Sequence, residues 1–217
     1  MQKLQMSKRV AEMSDGRYLI YYSWQNRIPN SEEPPRLTAF KQKLQALNAE
    51  IDVTLLEKAY KTADIAHCGQ LRDQNTPYFE HPLSVVHILL EELNIHDIEL
   101  LCAALLHDVL EDSDMTYEQL TGLFGNRIAN IVQSVTKTDG NIEQYDEQSE
   151  SAKRQFIAKI EQSGEYIVLL KLADRLDNLR SLPLSPSKSK QRRYLSETSQ
   201  WYIPLAQRVN SYIYEQM

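Results

Sequence analysis

The run Leu100–Leu106 is apolar at every position, and His107 and Asp108 follow it at once. Read with Val109 and Leu110 as one helix, the segment is apolar on nearly every face, and such a helix belongs at the centre of its domain. A second apolar run, Tyr166–Ala173, is interrupted in the same way by Asp174. Burying carboxylates without partners is costly. The fold must therefore either knit these charges into a buried polar network or neutralise them with a metal ion.

The composition agrees with a helical domain. Only 6 glycines and 8 prolines occur among 217 residues, and turns between strands draw on such residues. Good helix formers are plentiful, so the expected fold is all-α, a helical bundle with its metal site between central helices. The net charge of −6 argues against general nucleic-acid binding, which calls for a basic surface. It leaves room for a small anionic substrate, because a bound cation dominates its own surroundings. Cys68 and Cys102 lie in helical, apolar stretches and read as free thiols. No apolar run approaches a membrane span, and the N-terminus lacks the apolar core of a secretory signal. The expected location is the cytoplasm, with no membrane or nucleic-acid partner.

Residues 1–36 read as an appendage and linker, and 37–217 as the domain. The appendage holds an aromatic cluster (Tyr18, Tyr21, Tyr22, Trp24) and then a polar stretch expected to be extended from Pro29 to Arg36. Helices are expected over the apolar periodicity from Leu37, from Asp52 or Thr54, from His81-Pro82, from about His96 through His107-Asp108, and from Asp114 or Thr116 to Gly125. Further helices are expected after Gly125 and on both sides of Gly164, with Gly140 in a polar hinge. The segment from Pro183 to Lys190 reads as a loop, and one long closing helix follows, which Pro204 should kink or end.

On the central helix, His107 and Glu111 are four residues apart, Asp108 and Glu111 three, and Asp108 and Asp112 four, so the spacing predicts one polar strip facing the core. His81, at a helix start, is a natural addition. Two imidazoles with two carboxylates suit a borderline divalent ion such as Mn²⁺, Fe²⁺, Zn²⁺ or Co²⁺. Such an ion acidifies water and polarises a phosphoryl oxygen, the chemistry that hydrolysis needs.

The pattern H…HD…D, at His81, His107-Asp108 and Asp174, resembles the HD-domain metal phosphohydrolases. More narrowly, AHCGQLRDQNTPYFEHPLSVV, AALLHDVLEDSDMT, LFGNRIANIVQSVTK and VLLKLADRLDNLRSL resemble the hydrolase domain of the Rel/SpoT family, over about residues 50–215. That domain removes pyrophosphate from the 3′ position of ppGpp and pppGpp. The resemblance is closest to the stand-alone small alarmone hydrolases, because no synthetase domain fits in the remaining residues. It implies His81, His107, Asp108 and Asp174 as metal ligands, with Mn²⁺ the usual ion. It implies Glu111 and Asp112 as the pair that positions and activates the attacking water. Arg72, Tyr78 and Asn178 would contact the substrate, and an alarmone nucleotide is the implied partner. Lys137, Lys171, Arg175 and Arg180 are cations that could hold the far phosphates, each equally readable as a structural ion pair.

The sequence departs from the family pattern in the loop Asp73-Gln74-Asn75-Thr76, where Asp73 replaces a cation, and at Asp177 and Ser181. These departures bear on the base, so (p)ppApp, NADPH or another nucleotide stands as an alternative substrate. His67 reads as a packed core histidine, His87 and His96 as surface and cap positions, and Trp201, Tyr202, Tyr212 and Tyr214 as a helix packing face.

Overall fold

The structure is a computed structural model that describes residues 6–12, 18–24, 35–48, 51–73, 75–137 and 147–217, with side chains for all but 6–12, 18–24 and 147–149. The chain forms helices α1 (Pro35–Leu47), α2 (Val53–Ala66), α3 (Glu80–His87), α4 (Ile98–Leu106), α5 (Val109–Asp112) and α6 (Tyr117–Val135). After them come α7 (Glu147–Gln162), α8 (Glu165–Ser181), α9 (Lys188–Glu197), α10 (Ile203–Val209) and α11 (Ser211–Gln216).

The apolar run behaves as its composition requires. Every residue of Leu100–Leu106 is fully buried, and α4 packs against α2, α3, α6 and α8. Helix α8 is the other central element, buried continuously from Val168 to Asp177 and touching α3, α4, α6, α7, α10 and α11. The two apolar runs with charges in them are thus the two axes of an all-α bundle, as expected. Among the described residues, no helix is long and apolar enough to cross a membrane.

The helix starts follow local chemistry. Asp52 caps α2 by accepting from the Thr54 amide, and Asp97 caps α4 by accepting from the amides of Glu99 and Leu100. Thr116 and Gln119 cap α6 reciprocally, which satisfies two amides that a helix start leaves without partners. At Gly125 the chain takes φ +81 and kinks α6, a conformation that side chains with a Cβ avoid.

Several expectations need correction. Helix α1 begins at Pro35, so Pro35 and Arg36 are helical rather than extended; a proline in the first turn loses no helical hydrogen bond. Residues 29–34 and Gly140 lie outside the described residues. The closing segment is not one long helix. A π-turn at Thr198–Tyr202 precedes Pro204, which sits in the first turn of α10, and Asn210 breaks the chain again and caps α11. The expected loop from Pro183 to Lys190 is shorter than its length in sequence. Leu182–Leu184 forms a 3₁₀ turn, and Ser187 caps α9 from Lys188.

The aromatic cluster lies on a strand. β1 (Met6–Glu12) pairs antiparallel with β2 (Tyr18–Trp24), Met6 opposite Trp24 and Glu12 opposite Tyr18. The signal was confined to Asp15-Gly16, a turn dipeptide, ahead of the aromatic run Tyr18–Trp24; the first strand, MSKRVAE, has only Val10 as a β-branched residue. This hairpin precedes the helical bundle in sequence.

Candidate metal centre and active site

The largest departure from the expected local structure falls at the HD pair. Helix α4 ends at Leu106, His107 and Asp108 form a turn, and α5 starts afresh at Val109. The His107 imidazole accompanies the stop: its Nδ1 lies 2.8 Å from the Ala104 carbonyl oxygen and satisfies one of the acceptors that a helix end leaves open. Glu111 and Asp112 therefore do not continue a buried strip. They sit on a separate turn with exposed positions, while His107 and Asp108 stay buried.

The tertiary fold brings His81 from α3 and Asp174 from α8 to the same point. Ligand atoms of His81, His107 and Asp174 lie within 4.8 Å of one another. His81 Nε2 is 3.2 Å from Asp174 Oδ1 and 3.7 Å from Asp108 Oδ2. His107 Nε2 is 3.1 Å from Asp108 Oδ2, yet it is a buried nitrogen with no hydrogen-bond partner. His81 Nδ1 lies 2.6 Å from Asp177 Oδ2. With Nδ1–H of each ring assigned to an oxygen, both Nε2 atoms carry lone pairs directed at carboxylates, which repel them. A cation at the centre removes that repulsion, so the donor set fits a divalent metal.

Without a metal, protons have to do the same work. Burial would push the His81 pKa down, but hydrogen bonds and charges from Asp174, Asp177 and Asp108 raise it to about 9. His107 is raised in the same sense, burial being overcome by the adjacent Asp108. Asp174 is held well below the usual carboxylate range despite its burial, chiefly by Lys171, whose Nζ lies 2.8 Å from Oδ2, and by the two histidines.

Asp177 and the HxGQ segment support this centre in ways the sequence did not suggest. Asp177 accepts from both His81 and Arg72, the latter at 3.0 Å, so it orients a histidine instead of only bordering the base. The position could have been flagged, because Asp177 lies three residues after Asp174 on the same helix. Arg72 donates further to Asn178 Oδ1 and Ser181 Oγ, both at 3.0 Å, and Asn178 donates to Asp174 Oδ1 at 2.6 Å. Tyr78 donates to Asp108 Oδ2 at 2.6 Å. His67 is a buried histidine as expected, its Nδ1 2.8 Å from Gln70 Oε1, and Gln70 in turn donates to the Asp112 carbonyl at 2.7 Å.

A cavity opens at the centre, and a second adjoins it. The larger, about 300 Å³, is lined by His81, Asp108, Asp174, Glu111 and Asp112, and by cations from α7, α8 and α9. The smaller, about 210 Å³, lies beside Arg72 and Asp73. Tyr78, Asn178 and Tyr194 line both. In the larger cavity Glu111 Oε1 accepts from the Lys137 amide at 2.7 Å, and the Lys137 ammonium is 3.8 Å from Oε2. Burial and the charge of Asp108 push the Asp112 pKa up.

The expected cations divide. Lys137, Lys171 and Arg175 line the larger cavity, each beside a carboxylate. Arg175 is buried against Glu197 at 3.0 Å and lies over the rings of Tyr202 and Tyr194. Arg180 instead makes a bidentate pair with Glu92 and does not line the cavities. Arg193, on α9, lines the larger cavity and has no acidic partner among the described residues; the sequence reading missed it. Trp201 and Tyr202 line the same cavity, whereas Tyr212 and Tyr214 are exposed on α11.

Comparison with known proteins gives one consistent picture. The HD domain profile matches residues 59–211. The chain is 41% identical over 154 residues to the guanosine-3′,5′-bis(diphosphate) 3′-pyrophosphohydrolase of Aquifex aeolicus, covering 71% of this chain and 21% of that protein. It is 38% identical over 174 residues to the bifunctional (p)ppGpp synthase/hydrolase SpoT of Escherichia coli, covering 79% and 24%. The chain thus spans about a fifth to a quarter of these curated relatives. A solved structure described as a metazoan ortholog of SpoT that hydrolyzes ppGpp superimposes with a TM-score of 0.65 at 30% identity, over 76% of this chain and 92% of that one.

Proposed function

The chain belongs to the HD-domain family, among its Rel/SpoT-like members, and on that premise we propose that it removes the 3′-pyrophosphate of a guanosine alarmone. The reaction is (p)ppGpp + H₂O giving GDP or GTP and pyrophosphate. One observation carries the reading: His81 and Asp174 of the His81–His107–Asp174 cluster line a cation-lined cavity, which shares Tyr78, Asn178 and Tyr194 with a second, smaller one. That arrangement suits a substrate with a polyphosphate on one side of the cleaved bond and a nucleoside on the other.

His81, His107, Asp108 and Asp174 would hold one divalent ion, Mn²⁺ being our choice. Bound there, it would neutralise charge on the phosphoryl group and acidify water. The remaining work falls to the chain. Phosphoryl cleavage depends on positioning and charge stabilisation more than on covalent chemistry. Glu111, oriented by the Lys137 amide, accepts the proton of the attacking water. Asp112, with its raised pKa, holds a proton more readily than an ordinary carboxylate and is suited to passing one to the departing 3′-oxygen. Lys137 and Arg193 supply positive charge along the larger cavity, which Arg175 also lines with its charge paired to Glu197. Arg72, Tyr78 and Asn178 border the nucleoside side.

Residues 37–217 then constitute the hydrolase domain and 1–36 an appendage, and the cytoplasm is the expected site of the reaction. The experiment is a substrate panel: purified protein with Mn²⁺ and ppGpp, pppGpp, ppApp or NADPH. Pyrophosphate release from the guanosine alarmones supports the proposal, and turnover of none of the four refutes it.

A further inference from the structure

The smaller cavity ends in a charged pair that the metal chemistry does not use. Asp73, on the loop between α2 and α3, directs its carboxylate to the first turn of α9, with Oδ2 2.7 Å from Lys190 Nζ. The same oxygen accepts from Ser185 Oγ at 2.6 Å, and Ser185 is buried. Asp73, Ser185 and Lys190 all line the cavity, and the side chains of Asp73 and Lys190 remain 33% and 39% exposed. The second carboxylate oxygen, Oδ1, has no hydrogen-bond partner among the described residues. Lys190 and Ser185 also hold the carboxyl below the usual range, so it stays ionised.

An ionised carboxylate only accepts hydrogen bonds, and an ammonium only donates them. The cavity wall therefore offers an acceptor and a donor side by side. Guanine presents O6, N1–H and N2–H₂ in a row along one edge, an acceptor followed by two donors. Adenine presents N6–H₂ and then N1, a donor followed by an acceptor, with no second donor. A carboxylate facing N1–H and N2–H₂, with an ammonium facing O6, leaves no group of that guanine edge unpaired. With adenine in that orientation the N1 lone pair meets the carboxylate and N6–H₂ meets the ammonium, and both contacts are repulsive.

We propose that Asp73, held by Ser185 and Lys190, reads the hydrogen-bonding edge of the purine and selects guanine over adenine. This inference rests on the nucleotide reading of the cleft above but not on turnover. A site built to hydrogen-bond its ligand discriminates strongly against one that leaves its polar groups unpaired.

Binding of guanosine 3′,5′-bisphosphate and adenosine 3′,5′-bisphosphate to the Mn²⁺-loaded protein, measured by calorimetry, tests it without any reaction. The wild type should bind the guanosine compound roughly 10-fold more tightly or better. Asp73→Asn replaces one acceptor oxygen by a donor amide and should collapse that ratio to near unity or invert it. Ser185→Ala keeps the carboxylate but loosens its hold, and should narrow the preference less than Asp73→Asn does. A variant damaged only in folding would weaken both ligands together and leave the ratio unchanged. Equal binding of the two ligands by the wild type, or an unaltered ratio in Asp73→Asn, overturns the inference. A clear guanosine preference without alarmone hydrolysis would refute the proposed reaction and leave this inference standing.

Discussion

Asp177 Oδ2 lies 2.6 Å from His81 Nδ1 and 3.0 Å from Arg72 Nη1. One carboxylate thus ties a proposed metal ligand on α3 to the loop that lines the smaller cavity. By holding the proton on Nδ1 it leaves Nε2 free for a cation, the role that outer-shell carboxylates take around metal-binding histidines. Asp177→Asn should lower metal affinity roughly 10- to 100-fold and weaken the hold on Arg72. Metal titration of the apoprotein checks this, and unchanged affinity would remove Asp177 from the centre.

The charge state of the metal-free site sets a pH dependence. His81 has its folded pKa raised to about 9, above its ordinary 6.5. A raised histidine pKa contributes stability that is fully present below the unfolded value and is lost as pH rises through the folded value. Chelator-treated protein should therefore lose on the order of 1–3 kcal/mol between about pH 6.5 and 9, and the metal-loaded protein much less, because its ligands are already deprotonated. Thermal melts of both forms across that range give the answer; a gap in Tm that stays constant with pH would contradict the account.

Glu111 accepts from the Lys137 amide and is not among the proposed ligands. Glu111→Gln should keep the metal and lower kcat by roughly 10²- to 10⁴-fold, the usual contribution of a general base. Metal content measured beside the rate separates this from collapse of the centre. Full activity in Glu111→Gln would mean that another group takes the proton.

Arg193 lines the larger cavity with no acidic partner among the described residues, unlike Arg175, which Glu197 neutralises. Arg193→Ala should raise KM for ppGpp roughly 10- to 100-fold, since a charge-assisted contact contributes about 1.5–3 kcal/mol, with the metal retained. Arg175→Ala should instead act on stability, through the lost stacking on Tyr202 and Tyr194. Kinetics and urea unfolding of the two variants distinguish these effects, and the opposite pattern would reverse the assignment.

Charges that interrupt apolar runs are legible without a structure, and His107, Asp108 and Asp174 were found that way. Their burial calls for compensating partners whatever the topology. The local backbone was less legible. Helical spacing put Glu111 and Asp112 on one strip with His107 and Asp108, but the helix breaks at that pair, where the His107 ring takes the Ala104 carbonyl, and periodicity does not encode such competition. Asp177 was read as a departure near the base because its partners, His81 and Arg72, are 96 and 105 residues away. Arg193 is distinguished only by lacking an acid beside it, which is a property of packing. The hairpin was overlooked because short aromatic runs carry a weaker signal than long periodic helices.

The most direct test of the central claim is the product made from ppGpp. Metal-loaded protein should convert it to GDP and pyrophosphate in equal amounts, resolved by ³¹P NMR, and both chelation and Asp108→Ala should abolish the conversion. Release of orthophosphate in place of pyrophosphate, or turnover that survives chelation, would contradict the account.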